Sequence, residues 1–140
     1  MTDTVDIKTR SRIMSRVRSK NTQPEMVVRR LVFSAGFRYR LHGKALPGKP
    51  DLVFAGRRKV IFVHGCFWHR HSGCSLARLP KSRQEFWEPK LEANRERDEL
   101  NLLALSRSGW GVLVVWECEL KDQNALRSKI IQFLAESISN

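Results

Sequence analysis

The segment from His64 to Cys74 concentrates side chains that can bind a metal ion or transfer a proton. Its sequence, HGCFWHRHSGC, holds three of the four histidines and two of the three cysteines of the chain, together with two adjacent aromatic residues. Thiolates and imidazoles are preferred zinc ligands, and an imidazole near its ordinary pKa can act as a general base. The segment therefore predicts a metal site and a candidate catalytic group within one loop.

Cys66, His71 and Cys74, together with the distant Cys118, form a Cys3His set of the kind that holds structural zinc. Every cysteine of the chain belongs to this set. Cys118 lies just past an apolar segment, and if this segment is a strand it could return the thiol to the loop. His69 is an alternative fourth ligand, since its spacing from Cys66 is also workable. The competing interpretation is three unrelated cysteines and a surface histidine.

Asp51 is a candidate magnesium ligand, because it follows Pro50 at the start of a predicted strand and Mg2+ prefers oxygen ligands. Taken alone, a Pro-Asp pair is more often a turn. His64 ends the next predicted strand, and either His64 or His69 could accept a proton from water. Solvated loop histidines are the alternative. For Glu25, completing a helix capping box and a functional role are about equally supported.

The composition favours a polyanionic partner. The chain has 140 residues, enough for one domain, and 26 Lys and Arg against 14 Asp and Glu give a net charge of +12. Such a charge is most often associated with nucleic acid binding, although a ribosomal-type protein or solubility alone would also account for it. Hydrophobic residues make up 41%, which excludes a disordered basic tail. No signal peptide or membrane-spanning run is found, and we expect a cytoplasmic protein without disulfides.

The chain divides into a basic arm, residues 1–21, and one domain, residues 22–140. We expect the arm to order on DNA. The segment Thr22–Glu25 reads as a capping box that begins a helix ending at Gly36. Alternation in Phe37–Leu41 predicts a strand, and residues 42–50 predict a loop. Two further strands are predicted at residues 51–54 and 59–63.

The second half of the chain predicts two helices and one more strand. Ser82–Glu85 reads as a second capping box, opening a helical region that reaches about Ser108 and that Pro89 should interrupt or restart. The wholly apolar segment Gly111–Trp116 predicts a central strand covered on both faces. A last helix is predicted at residues 124–138. The order of elements predicts the α/β class, with a single mixed β-sheet flanked by helices.

Four segments together resemble the very short patch repair endonucleases: Pro50-Asp51, Ile61–His69, Glu85–Trp87 and Val114–Cys118. The resemblance spans the chain from about Thr9 to Leu120, and the run His-Gly-Cys-Phe-Trp-His is its most specific part. It implies a restriction-endonuclease-like fold with a structural zinc site. It also implies a monomeric DNA mismatch endonuclease that nicks one strand of double-stranded DNA next to the thymine of a T:G mismatch, as produced by deamination of 5-methylcytosine.

The same resemblance implies roles for single residues. Asp51 would hold Mg2+ and His69 would activate the attacking water, while Glu25 and His64 would support the phosphate and the waters around the magnesium ion. Val63 stands where the family commonly has Thr, so only its main-chain carbonyl could reach the ion. The strand Phe62-Val63-His64 lacks the Glu/Asp-x-Lys pattern of the wider restriction-type fold, as is usual in the repair family.

The resemblance also implies the zinc ligands and the DNA contacts. Structural zinc would be held by Cys66, His71, Cys74 and Cys118, in a loop one residue longer than in some relatives. Rings pushed between base pairs unstack a step, and a mismatch lowers the energetic cost. The DNA contacts would come from Phe67, Trp68, Trp87 and, in the opposite groove, Met14. Ordinary core packing is the alternative for the three rings.

Two other functions remain open at this point. One is a restriction or homing nuclease of the same fold with a different target. The other is a zinc-stabilised DNA-binding protein without catalysis, which the joint presence of Asp51, His64 and His69 disfavours.

Overall fold

The computed structural model describes residues 22–136, and within them the predicted order of helices and strands is confirmed. The elements are helix α1 (Gln23–Ser34), strands β1 (Arg40–Leu41), β2 (Leu52–Phe54) and β3 (Lys59–His64), helix α2 (Gln84–Arg107), strand β4 (Gly111–Trp116) and helix α3 (Gln123–Ala135). The predicted basic arm with Met14, and the predicted end of the last helix, lie outside the described residues. In the described part, no helix is long and apolar enough to cross a membrane.

The four strands form one mixed sheet, as predicted, and their order within it is β1-β2-β3-β4. Strands β1, β2 and β3 pair antiparallel, whereas β4 runs parallel to β3. The prediction that Gly111–Trp116 is a central strand is wrong, because β4 pairs only with β3 and forms an edge of the described sheet. Its two faces are nevertheless covered, which accounts for the apolar composition of the strand.

Helices cover both faces of the sheet. Because side chains of a strand alternate between the faces, neighbouring strand residues enter different cores. One core joins α1 and α3 to the sheet, and its buried members include Val28, Ile61 and Ile130. The other joins α2 to the opposite face, where Leu105 packs with Val60 and with Phe62 of β3. His64 lies two residues after Phe62 on the same strand, and its side chain therefore points to the α2 face.

Helix α1 begins and ends as predicted. The Thr22 hydroxyl oxygen accepts a hydrogen bond from the Glu25 N–H at 3.3 Å, and Gly36 adopts φ of 93° directly after the last turn. Only half of the predicted capping box is present, however. The Glu25 carboxylate binds Arg29 and His42 and does not return to the start of the helix.

Two predictions about α2 are wrong. The helix begins at Gln84, and its N-cap position, predicted for Ser82, is occupied by Arg83, which adopts a left-handed conformation and makes no capping hydrogen bond with its side chain. The helix also continues through Pro89. Pro89 lies in the second turn, where the hydrogen bond it cannot donate would have gone to the carbonyl of exposed Glu85, a group that water can satisfy.

Strand β1 is much shorter than the predicted strand Phe37–Leu41. Its partner β2 spans only three residues before the chain turns into a short 3-10 helix at Ala55. The pairing of Arg40 with Val53 and of Leu41 with Leu52 therefore uses nearly all of β2. Phe37 still contributes to the core as a partly buried side chain, although it is not part of the sheet.

Candidate functional site

Two parallel strands bring distant cysteines to the same end of the sheet. His64 of β3 pairs with Trp116 of β4, so the residues that follow each strand leave the sheet side by side. Cys66 and Cys118 each lie two positions beyond this pair. The sulfur atoms of these cysteines lie 3.6 and 3.5 Å from Nδ1 of His71. The predicted return of Cys118 to the loop is thus present in the structure.

Backbone hydrogen bonds shape the histidine loop, residues 65–74. The His71 N–H donates to the Cys66 carbonyl at 3.0 Å, and the Cys74 N–H donates to the His71 carbonyl at 3.3 Å. The His71 ring stacks on Trp116, with centroids 4.1 Å apart and planes 6° apart. Consequently the ligand atoms of Cys66, His71, Cys74 and Cys118 all lie within 4.8 Å of one another.

The protonation of these thiols depends on their surroundings. Burial is the largest of the causes that raise the pKa of Cys66 to about 12, so this thiol keeps its proton at neutral pH when no metal ion is bound. Neighbouring backbone N–H groups, first that of Leu76, lower the pKa of Cys74. Three thiols and an imidazole within one small volume fit a tetrahedral zinc ion, whose binding would release protons.

A second cluster contains His64, His69 and Asp98, with ligand atoms that also lie within 4.8 Å of one another. The two imidazole rings stack with centroids 3.8 Å apart and planes 5° apart. The Asp98 carboxylate binds Nδ1 of His69. This contact favours the tautomer in which Nδ1 carries the proton, and it leaves Nε2 of His69 able to accept a proton.

Asp98 was not predicted from the sequence. It lies in the charged run Arg95–Glu99 of α2, which resembles the solvated face of a helix. Only the packing of α2 on the β3 side of the sheet puts this carboxylate beside the histidine loop. A sequence pattern therefore contains no indication that distinguishes Asp98 from its acidic neighbours.

His64 is a neutral member of the cluster. Its side chain is buried, and desolvation is the main cause that lowers its pKa from the ordinary 6.5 to about 3. Its Nδ1 is buried without a hydrogen-bond partner among the described residues. An uncharged His64 ring lying flat against His69 does not repel the positive charge that His69 gains on accepting a proton.

The Asp51 carboxylate is oriented by the neighbouring strand. Its Oδ2 accepts a hydrogen bond from the Val63 N–H at 2.7 Å, which leaves Oδ1 for a cation. Burial raises the pKa of Asp51, while the Val63 hydrogen bond and the charges of His42, His69 and Arg29 act in the opposite direction. Asp51 thus lies close to both the histidine cluster and the first helix.

Glu25 belongs to a compact group at the buried side of α1. Its side chain is 1% exposed, and Oε2 contacts both the guanidinium of Arg29 and Nε2 of His42, the latter at 3.1 Å. The His42 N–H donates to the Asp51 carbonyl at 2.9 Å, which connects the group to the Asp51 segment. Neither Arg29 nor His42 was predicted as a site residue, although Arg29 stands four residues after Glu25, a spacing that allows a helical ion pair.

Phe67, Trp68 and Trp87 form an aromatic cluster with edge-to-face contacts. Their ring centroids lie 5.3, 5.7 and 6.3 Å apart. Trp87 is only 5% exposed in this arrangement, whereas the adjoining Phe86 is 43% exposed. The three predicted DNA-binding rings are therefore close together, and insertion of Trp87 into DNA would require the cluster to open.

Comparison with known proteins identifies relatives along nearly the whole chain. The sequence pattern of the family described as DNA mismatch endonuclease Vsr matches residues 2–75. The chain is 54% identical over 137 residues to the type II nicking enzyme V.XorIIP of Xanthomonas oryzae pv. oryzae, covering 98% of this chain and 100% of the relative.

Two further relatives also match over most of their length. The type II nicking enzyme V.NmeAIP of Neisseria meningitidis is 43% identical over 136 residues, covering 97% of this chain and 96% of the relative. The DNA mismatch endonuclease Vsr of Escherichia coli is 40% identical over 131 residues, covering 94% of this chain and 83% of the relative.

Proposed function

Because the chain belongs to the Vsr family of DNA mismatch endonucleases, we propose that it nicks one strand of double-stranded DNA next to the thymine of a T:G mismatch. In this function it would begin very short patch repair at deaminated 5-methylcytosine. One observation carries the proposal: Asp51, a carboxylate that can bind a metal ion, lies close to His69, and the Nδ1 atom of His69 is bound by the Asp98 carboxylate. A DNA-binding protein without catalysis has no need of this arrangement.

We propose that Asp51 holds the catalytic Mg2+ through Oδ1, with the main-chain carbonyl of Val63 as a second oxygen ligand. The donor set fits, since Mg2+ prefers few protein oxygens and completes its shell with water and phosphate. When bound, Mg2+ would stabilise the negative charge that develops on the scissile phosphate. The Val63 N–H meanwhile keeps Oδ2 in place.

His69 is the proposed general base. Its Nε2 would take a proton from the attacking water as the water oxygen forms a bond to phosphorus and one backbone phosphorus–oxygen bond breaks. Asp98 would keep the ring in the productive tautomer and stabilise the imidazolium. His64 would keep the His69 ring in position by stacking and would stay neutral. Glu25 would belong to the same centre, at its α1 side.

Cys66, His71, Cys74 and Cys118 are the proposed ligands of a structural zinc ion. The closed Cys3His set favours a structural role, because a catalytic zinc site keeps an open position. The ion would fix the histidine loop to the ends of β3 and β4. His69 lies within that loop, so the zinc site would also hold the proposed base.

We propose that the mismatch is read by the aromatic cluster, with Phe67, Trp68 and Trp87 entering the base stack on one side. Met14 and the arm of residues 1–21 would contact the opposite groove. Two cations lie near the exposed edge of the cluster: the Arg83 guanidinium is 5.0 Å and the Lys90 ammonium 5.9 Å from the Phe86 ring centroid. Such cations favour contact with backbone phosphates.

The remaining parts of the proposal concern the whole protein. Residues 22–140 would form a single endonuclease domain with a restriction-endonuclease-like fold, acting as a monomer. The relatives named above come from bacteria, whose chromosome lies in the cytoplasm, and we propose the same compartment for this enzyme.

The test compares binding and cleavage in two variants, Asp51→Asn and Asp98→Asn. Both should bind a T:G duplex within about threefold of the unchanged protein, because contacts to the phosphate backbone dominate affinity. Single-turnover nicking should fall by about 10²-fold or more in each, as expected when a metal ligand or the support of a general base is lost. Glu96→Gln, which alters an exposed carboxylate on α2, is the control and should keep the full rate. Undiminished nicking in Asp51→Asn would refute the assigned centre.

A further inference from the structure

A cavity of about 480 Å³ lies between the histidine loop, the segment that follows it and helix α2. Arg70, Arg78 and Arg95 line this cavity and define an arginine pocket, and among the described residues no acidic side chain lines it. Ser72 and Ser75 add hydroxyl groups that can donate hydrogen bonds. Positive charge together with hydrogen-bond donors is the chemistry that binds an oxyanion.

The three arginines differ in how far carboxylates balance their charge. Nε of Arg70 donates to Oε1 of Glu92 at 3.1 Å. Arg95 forms an ion pair with Glu99 at 3.6 Å, but the two side chains are 45% and 68% exposed, so water competes with this contact and the pair is weak. Arg78 is exposed and forms no ion pair within the described part of the chain. The arginine pocket therefore keeps an unbalanced positive charge.

The arginine pocket adjoins the proposed catalytic centre. Arg70 directly follows His69, and consecutive Cα atoms lie about 3.8 Å apart. The ion pair with Glu92 holds the Arg70 side chain against α2, the helix that also provides the carboxylate bound to His69. A DNA strand carries one phosphate per about 3.4 Å of helix axis. A strand whose scissile phosphate lies at His69 therefore brings phosphates a few nucleotides away within reach of the pocket.

We propose that the arginine pocket binds one backbone phosphate of the nicked strand, a few nucleotides from the cut. Arg78 is its main ligand, Arg95 is the second cation, and Arg70, fixed by Glu92, forms the rim next to His69. This inference rests on the proposed function. The pocket anchors the strand and takes no part in the chemical step. Because a phosphate carries no sequence information, the pocket adds equal affinity for T:G and T:A duplexes.

The alternative role for these arginines is to balance the charge of the proposed zinc site. His71 and Cys74 also line the arginine pocket, and three thiolates on one Zn2+ leave a net negative charge. Arginines with this role alone would affect zinc retention and would leave the salt dependence of DNA binding unchanged. Zinc content is therefore measured for every variant, and Arg78→Gln should keep its zinc.

The first test is the salt dependence of duplex binding by zinc-loaded protein without Mg2+, followed by fluorescence anisotropy. In Arg78→Gln the slope of log affinity against log salt concentration should become shallower by about 0.9, the value for one lost phosphate contact, with both duplexes. Arg78→Lys keeps the charge and should keep the slope. Arg107→Gln is the matched control, because it removes the same charge from an exposed position of α2, roughly 18 Å along the helix from Arg95. Its slope should equal that of the unchanged protein.

The second test identifies the phosphate. Single phosphates of the nicked strand are replaced in turn by uncharged methylphosphonates. One replacement, a few nucleotides from the cut, should weaken binding of the unchanged protein about fivefold and should not weaken Arg78→Gln further, because that contact is already lost. With the T:G duplex saturated by protein, Arg78→Gln should nick within about threefold of the unchanged rate, as expected of an anchor outside the chemical step.

The inference is overturned if Arg78→Gln and Arg107→Gln have the same salt slope, or if every methylphosphonate weakens Arg78→Gln as much as the unchanged protein. Loss of zinc from Arg78→Gln with an unchanged slope would assign the arginines to the metal site instead. Failure of the proposed function gives a different result. In that case the unchanged protein does not nick the T:G duplex, whereas the binding slopes still report on the arginine pocket.

Discussion

His64 and His69 have nearly parallel stacked rings, yet their surroundings suit them for opposite roles. His69 is partly exposed and has a carboxylate on Nδ1, so its other nitrogen can take up a proton. His64 is buried on the α2 face of the sheet, no carboxylate of the described residues 22–136 forms a hydrogen bond with it, and burial keeps it neutral. Identical side chains five residues apart thus have different surroundings, because His64 ends strand β3 and His69 lies in the histidine loop.

The neutral state of His64 predicts a pH dependence of folding stability. In the unfolded chain His64 takes up a proton below its ordinary pKa of 6.5, whereas in the folded protein it stays neutral down to about 3. Its contribution is therefore fully present above pH 6.5 and is lost as the pH falls below that value. Between pH 7 and pH 5 the loss should be about 2 kcal/mol.

Urea unfolding of the unchanged protein and of His64→Gln, both loaded with zinc, would measure this loss. The difference between their unfolding free energies should shrink or change sign in favour of the variant as the pH falls. Because both proteins contain the same zinc ligands, titration of those ligands cancels in the comparison. Parallel pH profiles for the two proteins would show that His64 is protonated in the folded state.

At the scale of elements, the parallel register of β3 and β4 places the candidate site. His64 is paired with Trp116, and this pairing sets the cysteines that follow each strand next to each other. The histidine loop then connects three features over a few residues: the thiol cluster, the aromatic rings and the His69 imidazole. A structural change in any one of these three features is therefore expected to alter the positions of the other two.

Zinc removal tests the structural part of this arrangement. Zinc sites of this type contribute roughly 10–16 kcal/mol of apparent free energy, far more than the stability of a small domain. A chelator should therefore unfold the histidine loop, abolish nicking and lower the melting temperature sharply. Elemental analysis should find one zinc per chain, and Cys74→Ser should lose most of it. A folded and active preparation that contains no zinc would contradict the assignment.

Trp68→Ala tests the proposed reading of the mismatch by the same loop. Loss of the ring should reduce the preference for T:G over T:A, because stacking at the mismatch no longer contributes to binding. The nicking rate should fall as well, since the next residue is the proposed base His69. Leu76→Ala is a suitable control, because Leu76 is an exposed apolar residue just beyond the loop. If Trp68→Ala keeps its zinc, its rate and its preference, Trp68 serves only in packing.

At the scale of the whole molecule, local sequence patterns predict the helices and strands. The features that these patterns do not predict depend on long-range packing. The Thr22 cap, the order of strands and the return of Cys118 follow from spacing and apolar runs. The edge position of Gly111–Trp116 does not follow from the sequence, because an edge strand covered by helices on both faces is as apolar as a strand at the centre of a sheet. Asp98 is a site residue only because α2 packs against the sheet and places its carboxylate beside His69.

Two predictions, on α2 and on Glu25, are overridden by the local surroundings. Proline usually interrupts a helix, but Pro89 lies where the loss of one hydrogen bond costs little free energy, and α2 continues through it. Glu25 satisfies a capping pattern, yet the fold brings His42 from a loop 17 residues away and offers the carboxylate a better set of partners. Tertiary contacts thus override local preferences at the positions nearest the candidate site.

We propose that this protein cuts DNA at a T:G mismatch with the help of a divalent cation. Single-turnover nicking tests this on two duplexes that differ only in one base pair, T:G in one and T:A in the other, with Mg2+ or with EDTA. We expect one nick next to the mismatched thymine in the T:G duplex with Mg2+, and no cut with EDTA. Equal cutting of the T:A duplex would indicate a restriction-type nuclease, and cutting in EDTA would contradict the proposed metal site.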